Sequence, residues 1–309
     1  MKFFKPSFWE NKFSFIALML LPISLLLQIF LKIKRWVTKT ERFNQKVICV
    51  GNIYLGGTGK TPLSIKIFNI VKNLNRKPII IKKYYEEHLD EISMIKKYSK
   101  LSQDITRKKA ISNLDIEKFD TIILDDGFQD NTIYKDLNIL CFNEKQLIGN
   151  GMTIPSGPLR EKLSAIKRSE IIFINGKLND QFEKKIKNIS NNLSIYYTKY
   201  KAVNFEKFKN KKLVAFAGIG NPDNFFELLE SIELDINKKI SFPDHYRYKK
   251  EEIDEIKKIS EIDNGMLITT EKDYFRIKNL GLGEIEYLEI ELEILNEKKF
   301  SEELKNYLK

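Results

Sequence analysis

A glycine-rich turn followed by lysine and threonine has the clearest chemistry in the sequence. It reads Gly56-Gly57-Thr58-Gly59-Lys60-Thr61 and stands between an uncharged apolar run, residues 47–50, and a segment with apolar residues at helical spacing. A strand, a glycine loop, Lys-Thr and a helix in this order form a P-loop, in which backbone N–H groups and the helix N-terminus hold phosphate oxygens. The sequence therefore predicts a triphosphate site, with Lys60 on the outer phosphates and Thr61 on Mg²⁺.

An apolar segment that ends in two aspartates is the second candidate site. Residues 119–124 lead into Asp125-Asp126-Gly127-Phe128-Gln129. In P-loop proteins, such a strand brings its carboxylate to the sheet edge beside the phosphate loop, where it binds Mg²⁺ directly or through water. Two aspartates before a glycine also suit an ordinary turn at a strand end. The P-loop upstream favours the metal-site interpretation.

Two other loops contain residues suited to phosphate binding or proton transfer. The loop of residues 150–161 ends in Arg160, whose guanidinium suits bidentate contact with phosphate, although a simple surface connector has a similar composition. His88 and His245 are the only histidines. His245 stands between Asp244 and Tyr246, where a general base or proton shuttle can operate, and a structural role is the alternative.

The N-terminal region predicts a membrane helix. Residues 13–31 are uncharged and mostly apolar, and lysines and arginines flank them on both sides. About 20 apolar residues suffice to cross a bilayer. The denser basic cluster follows the apolar run and so places the main domain in the cytoplasm. A cleaved signal peptide lacks its small-residue cleavage site here, while a buried core helix remains an alternative.

Composition narrows the class of protein. The chain has 309 residues, of which 42% are hydrophobic and 31% charged, so packed cores rather than disorder are expected. The net charge of +11 suggests an anionic partner. A nucleic-acid partner is not expected, because charge alone supports it and no recognisable module accompanies it. Cys49 and Cys141 lie in apolar runs and are expected to be buried, reduced thiols.

Alternating strand and helix patterns predict an α/β fold with a parallel sheet in each half. Strands are predicted at 47–50, 78–81, 119–124, 138–142, 170–175, 213–217, 239–242 and 266–270, and helices after the P-loop and at 223–232 and 249–260. A lysine-rich polar stretch at 199–212 marks a linker. The predicted organisation is an N-terminal membrane helix (1–38), a P-loop NTPase-like domain (39–205) and a smaller α/β domain (206–309).

The order of the motifs resembles the tetraacyldisaccharide 4′-kinases of lipid A biosynthesis. After the apolar N-terminus come GNIYLGGTGKTP, DDGFQ, NGMTIPSGPLRE, FAGIGNP, FPDHY and ITTEKD, ending at Asp273. The resemblance implies a membrane-associated P-loop kinase that moves the γ-phosphate of ATP to the 4′-hydroxyl of a tetraacylated, 1-phosphorylated glucosamine disaccharide, with Mg²⁺ as cofactor. It also implies an anionic glycolipid substrate, contact with inner-membrane lipid, and a catalytic domain on the cytoplasmic side of the bacterial inner membrane.

The resemblance also assigns roles to individual residues. It implies that the nucleotide is held by Tyr54, Leu55, Gly56, Gly57, Thr58, Gly59, Lys60 and Thr61. It implies that Mg²⁺ is held by Thr61, Asp125 and Asp126. Asp90 and His245 are the implied pair that activates the sugar hydroxyl, with Lys60 as a further catalytic residue. Substrate contacts are implied for Glu91, Arg107, Gln129 and Arg160.

Three departures from the family pattern leave alternatives open. Histidine usually follows DDGFQ in the family, but this chain has Asp130. The family's Ser-Arg-Gly-Tyr-Gly after the second strand is replaced by Lys82-Lys83-Tyr84-Tyr85-Glu86, and the segment before Asp90 is short. One alternative is a P-loop kinase for another membrane-linked sugar. The other is a membrane-anchored nucleotide-binding protein with altered substrate or lost turnover.

Overall fold

The computed structural model describes residues 6–11, 13–85, 89–244, 246–280 and 285–309. Twelve strands and nine α-helices are present in these ranges. The strands are β1 (Lys46–Gly51), β2 (Pro78–Lys83), β3 (Leu101–Asp104), β4 (Thr121–Asp125), β5 (Leu137–Asn143), β6 (Ile171–Asn175), β7 (Ser194–Ala202), β8 (Leu213–Ala217), β9 (Ile236–Ser241), β10 (Met266–Thr270), β11 (Glu286–Leu288) and β12 (Ile290–Ile294). The helices are α1 (Phe15–Val37), α2 (Lys60–Asn73), α3 (Leu89–Tyr98), α4 (Arg107–Ser112), α5 (Asp180–Lys187), α6 (Pro222–Ser231), α7 (Lys250–Ile262), α8 (Glu271–Ile277) and α9 (Glu297–Tyr307).

The larger of two compact units contains an eight-stranded sheet. Its strand order is β12-β7-β6-β5-β1-β4-β2-β3, and β1 to β7 pair in parallel. The central strands β1 and β4 are almost entirely buried, as expected for strands covered on both faces. In their register Val50 lies opposite Asp125, so the residues after β1 and β4 emerge at the same sheet edge. This arrangement confirms the predicted parallel sheet and brings the P-loop next to the two aspartates.

The smaller unit contains a four-stranded parallel sheet in the order β11-β10-β8-β9. Alternate residues of β8 belong to different apolar clusters, because successive side chains of a strand point to opposite faces. Leu213 and Ala215 pack with α6 residues such as Phe226, whereas Val214 and Phe216 belong to the cluster that includes α7 residues. The second predicted α/β domain therefore has a core on each face of its sheet.

Two segments belong to different units from those predicted. Helix α3 packs in the smaller unit with residues 200–292, although the predicted boundary placed it in the P-loop domain. Its buried Ile92 and Ile95 and its ion pairs to α8 hold it there. The C-terminal segment from Glu293 packs in the larger unit, where the ring of Phe300 lies 5.0 Å from that of Phe173. Both differences arise from contacts between residues far apart in sequence.

Candidate nucleotide and phosphate site

The glycine-rich loop connects β1 to α2, as the sequence predicts. Gly59 precedes α2 with φ of 85°, a left-handed conformation that favours glycine. Among the described residues, no side chain caps this 14-residue helix at its N-terminus. Its first N–H groups and the positive end of its dipole are therefore suited to phosphate oxygens. Lys60 and Thr61 are the first two residues of the helix.

Tyr54 stands where the usual P-loop pattern has glycine, and its backbone explains how the loop accepts it. Residues 53–55 pair with the loop of residues 150–161: Leu55 N donates to Pro158 O at 2.8 Å, and Arg160 N donates to Ile53 O at 2.7 Å. The Tyr54 side chain is 1% exposed and packs in the core of the larger unit. The start of the phosphate loop is thus fixed to the segment that carries Arg160.

Asn52 shapes the phosphate loop from inside. Its Nδ2 donates to Thr58 Oγ1 at 3.0 Å and to Gly56 O at 3.3 Å. Asn52 is fully buried and Thr58 is 2% exposed. Asn52 therefore bridges the two ends of the turn, a role that the sequence analysis did not assign.

Asp125, the last residue of β4, is fully buried and accepts hydrogen bonds on both carboxylate oxygens. Thr61 Oγ1 donates to Oδ2 at 3.1 Å, and Ser64 Oγ donates to Oδ1 at 2.9 Å. The Lys82 ammonium lies 2.5 Å from Oδ2. Asp125 thus fixes the first turn of α2 and is itself paired with a buried cation.

Asp126 faces the cations of the site. Its φ is 56°, and Arg160 Nη1 donates to its two carboxylate oxygens at 3.0 and 3.1 Å. Lys60 Nζ lies 3.7 Å from Oδ1. Burial opposes ionisation, but the charges of Lys60, Arg160, Lys82 and Arg107 outweigh it and lower the pKa of Asp126 well below its ordinary value. Asp126 is therefore ionised at neutral pH.

Arg107 holds the turn that follows β4. Its Nη2 donates to the carbonyl of Asp126 at 2.6 Å and to that of Asp125 at 3.3 Å. Its Nη1 lies 3.4 Å from Oδ2 of Asp130. The predicted substrate residue thus lies in the site, where its contacts support the aspartate pair. Asp130, the departure from the family pattern, neutralises it.

Gln129 and Glu161 connect the aspartate turn to the loop of residues 150–161. Gln129 Nε2 donates to Asn52 O at 2.9 Å and to Glu161 Oε1 at 3.3 Å. Glu161 is 4% exposed and pairs with Arg168 at 2.5 Å and with Arg35 of α1. A buried carboxylate needs such partners. Glu161 therefore fixes the chain next to Arg160.

The donor atoms at the site suit Mg²⁺. Thr61, Asp125 and Asp126 offer hydroxyl and carboxylate oxygens, the ligands that this ion prefers. In the described part of the chain, no group of three or more His, Cys, Asp or Glu residues forms a cage for a metal ion. Mg²⁺ is commonly bound by one or two carboxylates together with substrate phosphates, so the residues present fit that kind of site.

The remaining predicted catalytic and substrate residues belong to other segments. His245 lies outside the described residues. Asp90 lies in α3, with its side chain 1% exposed, and pairs with Arg276 Nη2 at 2.5 Å. Glu91 pairs with Lys272 at 2.9 Å. These pairs lie within the smaller unit, so the roles implied for Asp90, Glu91 and His245 stay predictions.

The motifs FAGIGNP and ITTEKD meet in the smaller unit. Asp273 Oδ2 accepts from Gly218 N at 2.9 Å, and its Oδ1 accepts from Tyr248 Oη at 3.0 Å and from Arg276 Nη1 at 2.8 Å. A Cβ on Gly218 would lie 2.7 Å from the Tyr248 hydroxyl, so this position requires glycine. Arg276 therefore links Asp273 to Asp90 of α3.

Sequence reasoning missed four residues of the phosphate site: Asn52, Ser64, Lys82 and Glu161. Glu161 was visible as the neighbour of Arg160, and Ser64 as the residue one helical turn after Lys60. Lys82 was visible as a charge at the end of a strand. Its pairing with Asp125 depends on the β2–β4 register, in which Ile81 lies opposite Leu124.

Comparisons with known proteins agree on one family. The family model described as Tetraacyldisaccharide-1-P 4'-kinase matches residues 16–309. The Tetraacyldisaccharide 4'-kinase of Pelagibacter ubique is 42% identical over 98% of this chain and 98% of its own length. The Tetraacyldisaccharide 4'-kinase of Rickettsia akari is 32% identical over 98% of this chain and 97% of its own length. A crystal structure of LpxK from Aquifex aeolicus in complex with ATP has the same fold, with 22% identity, a TM-score of 0.71, and coverage of 95% of this chain and 100% of that one. The chain therefore belongs to the tetraacyldisaccharide-1-P 4'-kinase family.

Proposed function

We propose that this protein transfers the γ-phosphate of ATP to the 4′-hydroxyl of tetraacyldisaccharide 1-phosphate, the step that forms lipid IVA in lipid A biosynthesis. One observation carries the proposal: Lys60 of the phosphate loop and Arg160 both face the ionised Asp126, in a chain that matches the family over nearly its whole length. Phosphoryl transfer depends mainly on positioning and on offsetting charge, and this cluster supplies both.

The backbone N–H groups of the loop and the α2 N-terminus bind the triphosphate. Lys60 and Arg160, which share Asp126, contact phosphate oxygens, because an anionic phosphate competes with the carboxylate for the same cations. Such contacts are worth most where charge develops on the transferred group. Thr61, Asp125 and Asp126 hold Mg²⁺, which when bound offsets negative charge on the phosphates.

Activation of the sugar hydroxyl is assigned to Asp90 and His245. A hydroxyl is a weak nucleophile unless its proton is accepted during transfer, and a histidine held by a carboxylate can accept it near neutral pH. Glu91, Arg107 and Gln129 complete the proposed substrate-binding set. The assignment rests on the family motifs, and Asp90 contributes a buried carboxylate.

The membrane surface is the proposed location, with the catalytic domain on the cytoplasmic side of the bacterial inner membrane. Helix α1 is long and apolar enough to cross a bilayer, and only 11% of its most apolar window is buried. Its outward residues, among them Phe15, Leu26 and Trp36, are exposed large apolar side chains. Such a surface fits the acyl chains of lipid and of an acylated substrate.

The runner-up is a nucleotide-binding protein that has lost turnover. The observation that favours it is Asp130, which pairs with Arg107 where the family usually has histidine. Arg107 is thereby already neutralised inside the site. Transfer of labelled γ-phosphate from ATP to tetraacyldisaccharide 1-phosphate in detergent micelles separates the two functions. A labelled lipid supports the kinase, whereas ATP binding without a labelled lipid supports the alternative.

Replacing Lys60 with alanine should lower kcat by about 10²–10³, because one electrostatic contact to the transferring group is lost. The matched control is Lys66→Ala on the same helix, whose ammonium pairs with Glu297 at 2.9 Å. We expect the control to keep wild-type turnover. A Lys60→Ala variant that folds and retains turnover within tenfold of wild type would contradict the P-loop assignment.

A further inference from the structure

A buried lysine at the end of β2 lies beside the aspartate that a P-loop site offers to its metal. Strand β2 pairs with β4 in parallel, with Ile81 opposite Leu124, so Lys82 follows in register with Asp125. The Lys82 side chain is 5% exposed, and its ammonium lies 2.5 Å from Asp125 Oδ2. A cation is thus built into the fold at the edge that carries the phosphate loop.

The hydrogen bonds of Asp125 indicate the role of the Lys82 ammonium. The carboxylate accepts from Thr61 and Ser64 of α2 as well as from Lys82. With three donors on two buried oxygens, Asp125 holds α2 in place and has its charge offset by a protein group. Burying this carboxylate without a paired cation would be unfavourable.

The charged residues around Asp125 and Asp126 give a second argument, because the cations outnumber the carboxylates. Asp126 is shared by Lys60 and Arg160, and Asp125 is paired with Lys82. With Arg107 and its partner Asp130 included, four cations lie beside three carboxylates, which leaves one positive charge in excess among these residues. This excess favours an anionic ligand.

We propose that Lys82 is a positioning residue that offsets the charge of Asp125, so that the phosphate site binds nucleoside triphosphate with only weak dependence on Mg²⁺. This inference rests on the proposed function for the identity of the ligand. Asp125 then anchors Thr61 and Ser64 of α2 in addition to the role proposed for it beside Mg²⁺. Without Lys82, the Asp125 carboxylate has no cation beside it to offset its repulsion of the triphosphate, and a divalent cation must compensate.

The test measures the dissociation constant of ATP by calorimetry, once in EDTA and once in excess Mg²⁺. For the wild type we expect the two constants to differ by less than about tenfold, near the lower end of typical coupling between ligands. Lys82→Gln keeps a hydrogen-bond donor but removes the charge. It should weaken ATP binding in EDTA and so raise the ratio of the dissociation constant in EDTA to that in Mg²⁺ at least about tenfold. Lys82→Arg, which keeps the positive charge, should keep the wild-type ratio of the two dissociation constants.

The matched control is Lys83→Gln, the same change one residue further along β2, where successive side chains point to opposite faces. It should leave the ratio unchanged. A folded Lys82→Gln variant with the wild-type ratio overturns the inference. If that variant does not fold, the wild-type protein decides the question, and a wild-type ratio above about tenfold overturns the inference. Failure of the wild type to bind ATP at all would refute the proposed function, which is a different outcome.

Discussion

Arg107 shows how a residue chosen for substrate binding can also support the backbone of the site. Its guanidinium donates to the carbonyls of Asp125 and Asp126 and pairs with Asp130. The side chain is 9% exposed. Asp126 has a positive φ, which is uncommon for a residue other than glycine. Arg107 therefore stabilises the strained turn that presents Asp126.

Replacing Arg107 with methionine should lower the free energy of unfolding of the ligand-free protein by about 1–3 kcal/mol, because two backbone carbonyls lose their donor. Urea unfolding measures this change. The control is Arg160→Met, whose side chain is 25% exposed, and which should cost less than about 1 kcal/mol. An unchanged unfolding free energy in Arg107→Met, with a raised KM for the lipid, would show that Arg107 acts on substrate alone.

The phosphate loop and the aspartate pair could be predicted from the sequence because each is a local pattern. Gly59, Lys60 and Thr61 occupy adjacent positions, and the strand before Asp125 is a continuous apolar run. Lys82 is different: its partner lies 43 residues away. Its role depends on strand order and register, which a lysine at a strand end does not reveal.

Helix α1 has one face attached to protein and the others exposed. The half-buried or buried residues on its inner side recur at helical spacing: Ala17, Leu20, Leu21, Ser24, Gln28, Leu31 and Arg35. Ser24 Oγ donates to Thr153 O at 2.9 Å and accepts from Ser156 N at 3.1 Å. Gln28 Nε2 donates to Arg160 O at 3.3 Å. The polar residues of the apolar run thus hold the loop that carries Arg160.

This arrangement explains why the sequence predicted the helix but not its docking. The run of 19 uncharged residues signals a membrane helix, and Ser24 and Gln28 read as tolerated polar residues within it. Their partners lie about 130 positions away. Attachment at both Ala17 and Arg35 extends over about 27 Å of helix, given a rise of 1.5 Å per residue.

Replacing Ser24 with alanine should lower phosphoryl transfer in detergent micelles by about 3–10-fold, since each lost hydrogen bond is worth about 0.5–1.5 kcal/mol. Vesicle flotation should be unchanged, because Ser24 faces protein. Ile23→Ala is the matched control: its side chain is exposed, so it should weaken flotation and leave micellar turnover intact. The opposite pattern, with Ser24→Ala lost from vesicles and fully active, would contradict the assigned role of this face.

At the scale of the whole molecule, segments that follow one another in the sequence do not always belong to the same compact unit. The predicted boundary near residue 205 falls in a polar, lysine-rich stretch, close to Tyr200, where the long segment of the smaller unit begins. Helix α3 nevertheless belongs with residues 200–292, held by Arg276 and by Lys97, whose ammonium bonds Glu271 at 2.8 Å. Long-range ion pairs of this kind leave no signal in periodicity or composition.

Experiment can separate two roles of Asp90: action with His245 on the sugar hydroxyl, and anchoring of α3. If it acts with His245 on the sugar hydroxyl, Asp90→Asn and His245→Ala should each lower kcat by about 10²–10⁴ while ATP affinity is retained. The double variant should be scarcely worse, because residues that act as a unit are not additive. Steady-state kinetics with ATP and lipid varied in turn measures both quantities.

The control addresses the ion pair between Asp90 and Arg276. Lys97→Met removes the three polar contacts of another α3 residue, with Glu271, Tyr287 and Glu289, so it should lower the free energy of unfolding without lowering kcat. If Asp90→Asn resembles Lys97→Met, with stability reduced and turnover kept, Asp90 only anchors α3. Multiplicative losses in the double variant would instead show that Asp90 and His245 act independently. A non-additive loss in kcat alone would establish the pair as the acceptor of the hydroxyl proton.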